Sequence, residues 1–293
     1  MSTDPRAWAR GYIGGVPDTR VDPHLGTVVH VVASRQDRPN LPSSGCPFCP
    51  GGLEAPDHYV VRAFPNRWPA LGEGRCEVVL YTPEHDATFH SIGAEGVRRV
   101  IDLWAERTEA LSREDDVACV LVFENRGAEV GATIPHPHGQ IYAYPRVPSR
   151  ISRRFAARWE PEKEPGERSV IRDDAVTVYA QHASVFPVSL LVAPTMRTPD
   201  LASLDNPGRD ALAGALVDVF ARLDRLYDEP LPYMMWVNQA PRGVDDAWMS
   251  IEIVSPWRAR GVARFIAAAE VAGEEYFNPV DPADVAARLR DLA

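Results

Sequence analysis

The sequence predicts an α+β fold made of two copies of one strand–helix–strand–strand unit, with an antiparallel or mixed sheet flanked by helices. In each copy an apolar strand ends in proline, a helix with one apolar face follows, and two further strands complete the unit. Equivalent residues of the two copies lie 111 to 113 positions apart: Pro83 and Pro194, Asn125 and Asn238, Pro145 and Pro256. This spacing indicates an internal duplication, and chance similarity of common apolar strands is the alternative.

The predicted elements follow in the same order in both halves. In the first half they are a strand at 78–83, a helix at 97–111 and strands at 119–127 and 136–145. In the second half they are a strand at 189–194, a helix at 212–223 and strands at 233–241 and 248–256. We therefore divide the chain into an N-terminal half (1–150), a connecting segment (151–169) and a C-terminal half (170–293). The charged connecting segment predicts an exposed helix or linker.

Composition excludes several classes of protein. The chain has 293 residues, of which 45% are apolar and 25% are charged, so it can form a hydrophobic core and is not intrinsically disordered. The net charge of −10 argues against a protein that binds nucleic acid by electrostatic attraction. No apolar run reaches the roughly 18 residues of a membrane helix, and the first residues lack the apolar segment of a signal peptide. With only four cysteines, two of them in a CxxC pair, we expect a cytoplasmic protein.

The sequence HPHGQ at 136–140 is the strongest indication of chemistry. Side chains at alternate strand positions share a face, so His136, His138 and Gln140 are predicted to lie together. A neutral imidazole is available near pH 7 as a nucleophile or acid–base group, and a glutamine beside it can donate to a phosphoryl oxygen. Histidines that are merely hydrogen-bonded within the structure are the alternative.

The second copy lacks these polar side chains when an offset of 111 is applied. That offset aligns the motif with apolar residues: Ala247 with His136, Met249 with His138 and Ile251 with Gln140. We therefore expect one active site, in the N-terminal half, with the C-terminal half as its support.

A CxxC pair, Cys46 and Cys49, predicts a metal site. Zn²⁺ bound by two thiolates needs two more ligands to complete a tetrahedron. His85 and His136 are the best candidates, because each adjoins one of two strands that are expected to be neighbours. A redox dithiol is the alternative, although the strand-to-helix setting of that motif is missing.

Weaker signals surround these motifs. Arg35 and Arg38 could bind phosphate through their guanidinium groups, or could simply be surface residues. The loop at 64–69 could form a nucleobase pocket or an ordinary structured loop. Gly131 and Thr133, before the histidines, could offer backbone N–H groups and a hydroxyl to phosphate.

Together, the motifs CPFCPG, FENRG and HPHGQ resemble those of the galactose-1-phosphate uridylyltransferase family, in the histidine-triad superfamily. Five separated motifs occur in the family order, and the similarity extends from residues 22–39 to residues 276–290. The resemblance implies a duplicated histidine-triad-like unit. It also implies an enzyme that moves a nucleoside monophosphate, most simply UMP, between sugar 1-phosphates, for example from UDP-glucose to galactose 1-phosphate.

The resemblance further implies a role for each matching residue. His138 is the expected nucleophile, which forms a covalent nucleotidyl-histidine, and Gln140 hydrogen-bonds the phosphoryl oxygens. Expected contacts to the phosphates and the nucleoside come from Arg35, Arg38, Asn66, Asn125, Gly131 and Thr133. The expected sugar-binding wall, shared between the subunits of a homodimer, contains Arg264, Phe265 and Glu270. One structural Zn²⁺ per chain is expected on Cys46, Cys49, His85 and His136.

Departures from the family pattern leave the substrates open. A second metal site found in some members would need histidines where this chain has Asn238, Ile251 and Ile253, so we expect that site to be absent. Ala269 replaces a tyrosine of the sugar wall, and Arg67 replaces an aspartate beside Asn66. The alternatives are a phosphorylase for a nucleotide sugar such as ADP-glucose or for dinucleoside polyphosphates, a transferase for another sugar 1-phosphate, and an inactive nucleotide-binding module. The expected partners are a nucleotide sugar and a sugar 1-phosphate, with neither nucleic acid nor membrane.

Overall fold

A computed structural model describes residues 18–33, 35 and 45–293, so Arg38 lies outside the described residues. The strands are β1 (Asp18–Val21), β2 (Val28–Val31), β3 (Arg62–Pro65), β4 (Cys76–Leu80), β5 (Cys119–Arg126), β6 (His138–Tyr144), β7 (Ser169–Arg172), β8 (Val176–Ala180), β9 (Val188–Pro194), β10 (Tyr233–Asn238), β11 (Ser250–Ser255), β12 (Trp257–Ala259) and β13 (Val262–Ala263). The helices are α1 (Gly93–Ser112), α2 (Ser149–Ala156), α3 (Asn206–Arg225), α4 (Ala268–Gly273) and α5 (Pro282–Asp291).

Nine strands form one continuous sheet in the order β3-β4-β6-β5-β10-β11-β9-β8-β7. All its neighbouring strands are antiparallel, so the mixed sheet left open by the sequence does not occur in the described part of the chain. The two copies meet where β5 pairs with β10, and this pairing joins them through the middle of the sheet.

The long helices cover one face of the sheet. In α1 the buried residues recur at helical spacing and include Trp104, while α3 begins at a cap in which Asp205 accepts a hydrogen bond from the Gly208 N–H at 2.8 Å. The two helices pack against each other over a shared core, where Phe89 contacts Phe220 with ring centroids 4.9 Å apart. This face is the main hydrophobic core. In the described part of the chain, no helix is long and apolar enough to cross a bilayer.

The opposite face of the sheet carries different cover in each half. Over the first half lies the segment 45–61, which we call the cysteine loop, and its Phe48 and Tyr59 pack on Val78 and Leu80 of β4. Over the second half lie α2 and Trp159. We call this face the site face, because Gln140 of β6 lies on it, opposite Phe123 of β5.

Strand pairing corrects the alignment of the two copies by one residue. Phe123 of β5 lies opposite Trp236 of β10, at the centre of the duplication. Gln140 pairs with Phe123, and Glu252 pairs with Trp236, so Glu252 is the structural counterpart of Gln140. The predicted counterpart, Ile251, was therefore wrong.

The same shift changes the partner of His138 from Met249 to Ser250. A one-residue shift on a strand turns every side chain to the other face. Met249 and Ile251 are fully buried in the helix-side core, whereas Ser250 and Glu252 lie on the site face. Counting from turn prolines missed this shift because the loops of the two copies differ in length.

The connecting segment, predicted as an exposed helix or linker, begins with the mostly exposed helix α2, which is fixed to the sheet. Arg150 and Arg154 of α2 donate to the buried carboxylate of Glu252 at 2.8 and 3.4 Å. Asn238 donates to the same carboxylate at 2.9 Å, and Arg154 also donates to the Ser250 hydroxyl at 2.8 Å. Burial lowers the pKa of Arg154 to about 10. The second half thus has a polar cluster of its own where the sequence alignment predicted only apolar scaffold.

Candidate active site and metal site

His138 is the first residue of β6 and points its ring along the site face. Its Nδ1 lies 2.7 Å from the carbonyl oxygen of His136, so the ring proton on Nδ1 is donated to that oxygen. This tautomer leaves the lone pair on Nε2, the form that a nucleophilic histidine requires. The ring of Phe48 packs edge-on against the imidazole, with centroids 5.0 Å apart, and helps to fix its orientation.

Gln140 lies two residues further along β6 and is oriented by Asn66. The Asn66 side-chain oxygen accepts a hydrogen bond from the Trp68 N–H at 2.8 Å, so its amide nitrogen faces Gln140. That nitrogen donates to Oε1 of Gln140 at 3.1 Å. With its oxygen occupied in this way, Gln140 can offer its N–H groups to an anionic oxygen. Asn66 is thereby joined to Gln140 directly, although the sequence suggested only that it lies in a nucleotide pocket.

His136 does not lie on β6 as the HPHGQ spacing predicted. The strand begins at His138, because Pro137 has no N–H to donate to a neighbouring strand. His136 is fully buried, and its Nε2 lies 2.8 Å from the Thr82 carbonyl oxygen and 2.9 Å from the Tyr59 hydroxyl. A proton donated from Nε2 leaves the Nδ1 lone pair for a metal. No sequence signal pointed to Tyr59, whose hydroxyl donates to the Phe48 carbonyl oxygen at 2.7 Å.

The four residues predicted to hold a metal come together in the structure. The ligand atoms of Cys46, Cys49, His85 and His136 all lie within 4.8 Å of one another. The Cys49 sulfur is 3.5 Å from Nδ1 of His85 and 3.6 Å from Nδ1 of His136. Typical Zn–S and Zn–N bonds at a tetrahedral angle give a sulfur-to-nitrogen separation of about 3.6 Å, so this donor set fits zinc. Burial raises the pKa of the Cys49 thiol, and a bound cation would oppose that effect.

Comparison with known proteins identifies the family. Residues 68–148 match the model of the galactose-1-phosphate uridyl transferase N-terminal domain. A galactose-1-phosphate uridylyltransferase from Thermotoga maritima is 32% identical over 94% of this chain and 98% of its own. This chain belongs to the galactose-1-phosphate uridylyltransferase family.

Two further proteins are similar to this member of the uridylyltransferase family. A solved uridylyltransferase structure, 27% identical, covers 94% of this chain and 98% of its own with a TM-score of 0.85. The predicted α+β fold is thereby confirmed. An ADP-glucose phosphorylase from Arabidopsis thaliana is 25% identical over 94% of this chain and 93% of its own.

In this family member, backbone N–H groups of the loop before the histidines bond to carbonyl oxygens of the same loop. A short turn, Ala128–Val130, ends at Gly131, whose φ of 83° is readily adopted only by glycine. The N–H groups of Gly131 and Ala132 donate to carbonyl oxygens within the loop at 3.0 and 3.1 Å. They are therefore not presented outwards as the sequence suggested. Asn125 lies nearby on β5, two residues beyond Phe123, on the site face.

Two candidate nucleotide contacts lie near the start of β4. Burial raises the pKa of the Cys76 thiol, and the Arg35 guanidinium lowers it in part, so Arg35 lies near the start of β4. Asn66 is close to the same point, since its N–H donates to the Cys76 carbonyl oxygen at 2.8 Å. The neighbouring Arg67 forms an ion pair with Glu54 of the cysteine loop at 2.9 Å.

The predicted sugar-binding residues form their own cluster in the C-terminal half. Arg264 and Glu270 are buried and paired with each other. Glu270 also accepts the N–H groups of Ala267 and Phe277, both at 2.9 Å, and these bonds hold its pKa below the usual range. Phe265 is 82% exposed. Within the described part of the chain, the hydrogen bonds of Arg264 and Glu270 run among residues 256–277 and do not reach His138.

Proposed function

We propose that this chain transfers UMP from UDP-glucose to galactose 1-phosphate through a covalent intermediate on His138. One observation carries the proposal: the anchored imidazole of His138 and the oriented amide of Gln140 lie side by side on the site face. This pair can act on one phosphoryl group, with one side chain attacking the phosphorus and the other binding its oxygens. The relationship to galactose-1-phosphate uridylyltransferases supports the choice of substrates.

In the first step, the Nε2 lone pair of His138 forms a bond to the α-phosphorus of the nucleotide sugar. The bond from that phosphorus to the bridging oxygen breaks, and sugar 1-phosphate leaves with the electron pair. In the second step, an oxygen of the incoming sugar 1-phosphate attacks the same phosphorus, and the N–P electron pair returns to Nε2. The Nδ1 proton stays on the hydrogen bond to His136 throughout.

Gln140 is suited to stabilise both steps. Its N–H groups donate to the non-bridging oxygens, where negative charge is concentrated in the transition state. Because Asn66 fixes the amide orientation beforehand, little reorganisation is needed when the substrate binds.

We assign one structural metal ion per chain, most simply Zn²⁺ with iron as the alternative, to Cys46, Cys49, His85 and His136. Four protein ligands complete a tetrahedron and leave no open position for substrate. When bound, the metal supplies a cross-link that ties the cysteine loop to the two strands beside it. Through His136, whose carbonyl oxygen holds the His138 ring, that cross-link would keep the nucleophile in place.

We further propose that two chains form a homodimer in which Arg264, Phe265 and Glu270 complete the partner's sugar site. The support is an exposed apolar surface beside the buried ion pair, including Phe265 at 82% and Phe277 at 71% exposure. Apolar side chains this exposed in one segment are typical of an interface. Light scattering that finds a fully active monomer would contradict this arrangement. Reduced thiols at the metal site favour a cytoplasmic location.

A nucleotide-sugar phosphorylase is the second candidate. The ADP-glucose phosphorylase relative supports it, as do Arg67 and Ala269, which alter the expected nucleoside and sugar contacts. In that reaction orthophosphate replaces the sugar 1-phosphate in the second step, and the rest of the chemistry is unchanged. Comparing the two acceptors with one nucleotidyl-enzyme preparation separates the candidates.

The first experiment is intact-protein mass spectrometry after brief incubation with UDP-glucose, UDP-galactose, ADP-glucose or GDP-mannose. We expect a UMP adduct on the wild type and none on His138→Ala, while both proteins keep the same metal content. An adduct of another mass would reassign the nucleobase. Substrate binding with no adduct from any donor would instead support an inactive nucleotide-binding module.

A further inference from the structure

A buried glutamate lies under the nucleophile, on the helix side of the sheet. Glu124 of β5 is only 4% exposed, and its Oε1 accepts a hydrogen bond from the Tyr233 hydroxyl at 2.7 Å. Its other oxygen, Oε2, has no hydrogen-bond partner among the described residues. A buried carboxyl oxygen without a hydrogen-bond partner destabilises the folded state, so its presence calls for an explanation.

Tyr81 connects this carboxyl group to the catalytic strand. A Cβ atom on Gly139 would overlap the Tyr81 hydroxyl and approach the Phe123 carbonyl oxygen to 3.0 Å. The Tyr81 hydroxyl therefore lies directly beneath the backbone that joins His138 to Gln140. Burial, followed by the nearby Glu124 carboxylate with which its hydroxyl interacts, raises the pKa of Tyr81.

A small cavity opens between Glu124 and residues 134–138, which we call the histidine loop. Its volume is about 30 Å³, room for a water molecule, and its lining includes Glu124, Tyr233 and His138. The ring of Tyr81 cannot move away, because Phe89 and Trp104 pack edge-on against it at 5.4 and 5.7 Å.

Charged and titratable groups approach Glu124 from every neighbouring element. They are Arg126 on its own strand, Tyr233 on β10, Tyr81 after β4, Asp224 on α3, His90 before α1, and His136 and His138 in the histidine loop. Arg126 is held by Asp224 at 2.9 Å, and Asp224 in turn contacts His90, so the Arg126 charge is already paired.

We propose that Glu124 is a positioning residue for nucleotidyl transfer, acting with Tyr81 and Tyr233 as a polar floor beneath Gly139. The floor fixes the backbone from which His138 and Gln140 project. A water in the cavity bonds Oε2 and extends the floor towards His138. This inference rests on the proposed function.

Glu124 also acts on the charge of the nucleophile. Burial raises the pKa of Glu124 to about 7, so the group changes charge within the working pH range. When the Nε2–P bond forms, the His138 ring becomes positively charged, because its Nδ1 keeps a proton. An ionised Glu124, which lines the same small cavity as His138, attracts that charge, whereas a protonated Glu124 does not.

The test is the single-turnover rate of nucleotidyl-enzyme formation from UDP-glucose between pH 5.5 and 8.5. Glu124→Gln keeps the size and the hydrogen bond to Tyr233 but cannot ionise. We expect wild type and variant to react at equal rates at low pH. The ratio of the wild-type rate to the Glu124→Gln rate should rise roughly tenfold as the pH increases through 7. Taking the ratio cancels the titration of His138 itself.

Two further variants separate positioning from general stability. Tyr81→Phe keeps the packed ring and removes only the hydroxyl, and we expect it to slow the covalent step without changing the affinity for UDP-glucose. Glu77→Gln is the matched control, a mostly buried glutamate on the same sheet face that bonds Arg107 at 2.8 and 2.9 Å. Its ratio to the wild type should stay constant with pH.

The outcomes distinguish a failure of the proposed function from a failure of the positioning role of Glu124. A wild type that forms no adduct from any donor refutes the proposed function. A wild type that forms the adduct, with a flat Glu124→Gln ratio and a normal Tyr81→Phe rate, overturns the positioning role alone.

Discussion

Substituting Gly139 by alanine tests whether close packing under the catalytic strand is required. The added methyl would overlap the Tyr81 hydroxyl and lie 3.0 Å from Tyr81 Cζ and from the Phe123 carbonyl oxygen. To regain normal nonbonded separation, the tyrosine hydroxyl or the strand must move by roughly 1 Å. Since Phe89 and Trp104 hold the tyrosine, we expect the strand to move.

The expected cost has two parts. Overpacking in a closed core destabilises by about 1–3 kcal/mol. A displacement of about 1 Å at catalytic groups lowers the rate by roughly a hundredfold. Urea unfolding measures the first part, and the single-turnover rate of adduct formation measures the second on the fraction that remains folded.

Gly214→Ala is the matched control for Gly139→Ala. Gly214 lies inside α3 with open space where a Cβ would be, so alanine there should stabilise the helix by about 0.5–1 kcal/mol and leave the rate unchanged. Adding Tyr81→Phe to Gly139→Ala should restore part of the stability, because the worst overlap is with the hydroxyl. A Gly139→Ala enzyme with wild-type stability and rate would refute the reasoning.

Three other perturbations have definite expected results. Cys49→Ser should lose the bound metal, measured by elemental analysis, and lower Tm by roughly 5 °C or more; an unchanged Tm would contradict a structural role. Arg154→Met leaves Glu252 without one of its cations and should cost about 3 kcal/mol in urea unfolding, whereas Arg113→Met removes only an exposed pair and should cost less than about 1 kcal/mol. The pKa of Glu124 rises from 4.5 to about 7 on folding, so its stabilising contribution is complete below pH 4.5 and is lost as pH rises through 7. Relative to the wild type, the free energy of unfolding of Glu124→Gln should therefore increase by about 3 kcal/mol between pH 4.5 and 8. A difference in unfolding free energy that stays constant with pH would contradict the raised pKa.

The sequence predicted the repeated elements well because their signals are local. Apolar periodicity located α1, α3 and the central strands, and the CxxC pair with two histidines near strand ends identified four residues that come together as a candidate metal site. By contrast, β3 and β7 are four-residue strands at the two edges of the sheet, too short for a periodic signal. The register between the copies was wrong by one residue, because loop lengths, and not strand residues, set the offset in sequence.

The site residues that sequence reasoning missed act through other groups. Tyr59 reaches the candidate metal site through His136 and the Phe48 carbonyl oxygen, and Tyr81 reaches β6 at Gly139. Neither carries a motif of its own. The FENRG motif was recognised as part of the family pattern, yet Glu124 within it gave no hint that it turns away from the site face. Such roles depend on which side of a strand faces which neighbour, and this is fixed by tertiary packing.

The pairing of β5 with β10 has a consequence for how the protein folds. This seam runs from the pair Tyr233 and Arg126 to the pair Trp236 and Phe123. It includes Glu124 and Asn125 of β5. Separated from the C-terminal half, β5 would become an edge strand with unpaired N–H and C=O groups. A fragment ending near residue 150 should therefore self-associate through that edge, while the intact chain shields it. The second half, which carries no nucleophile in our proposal, would thus also act as an intramolecular chaperone for the first.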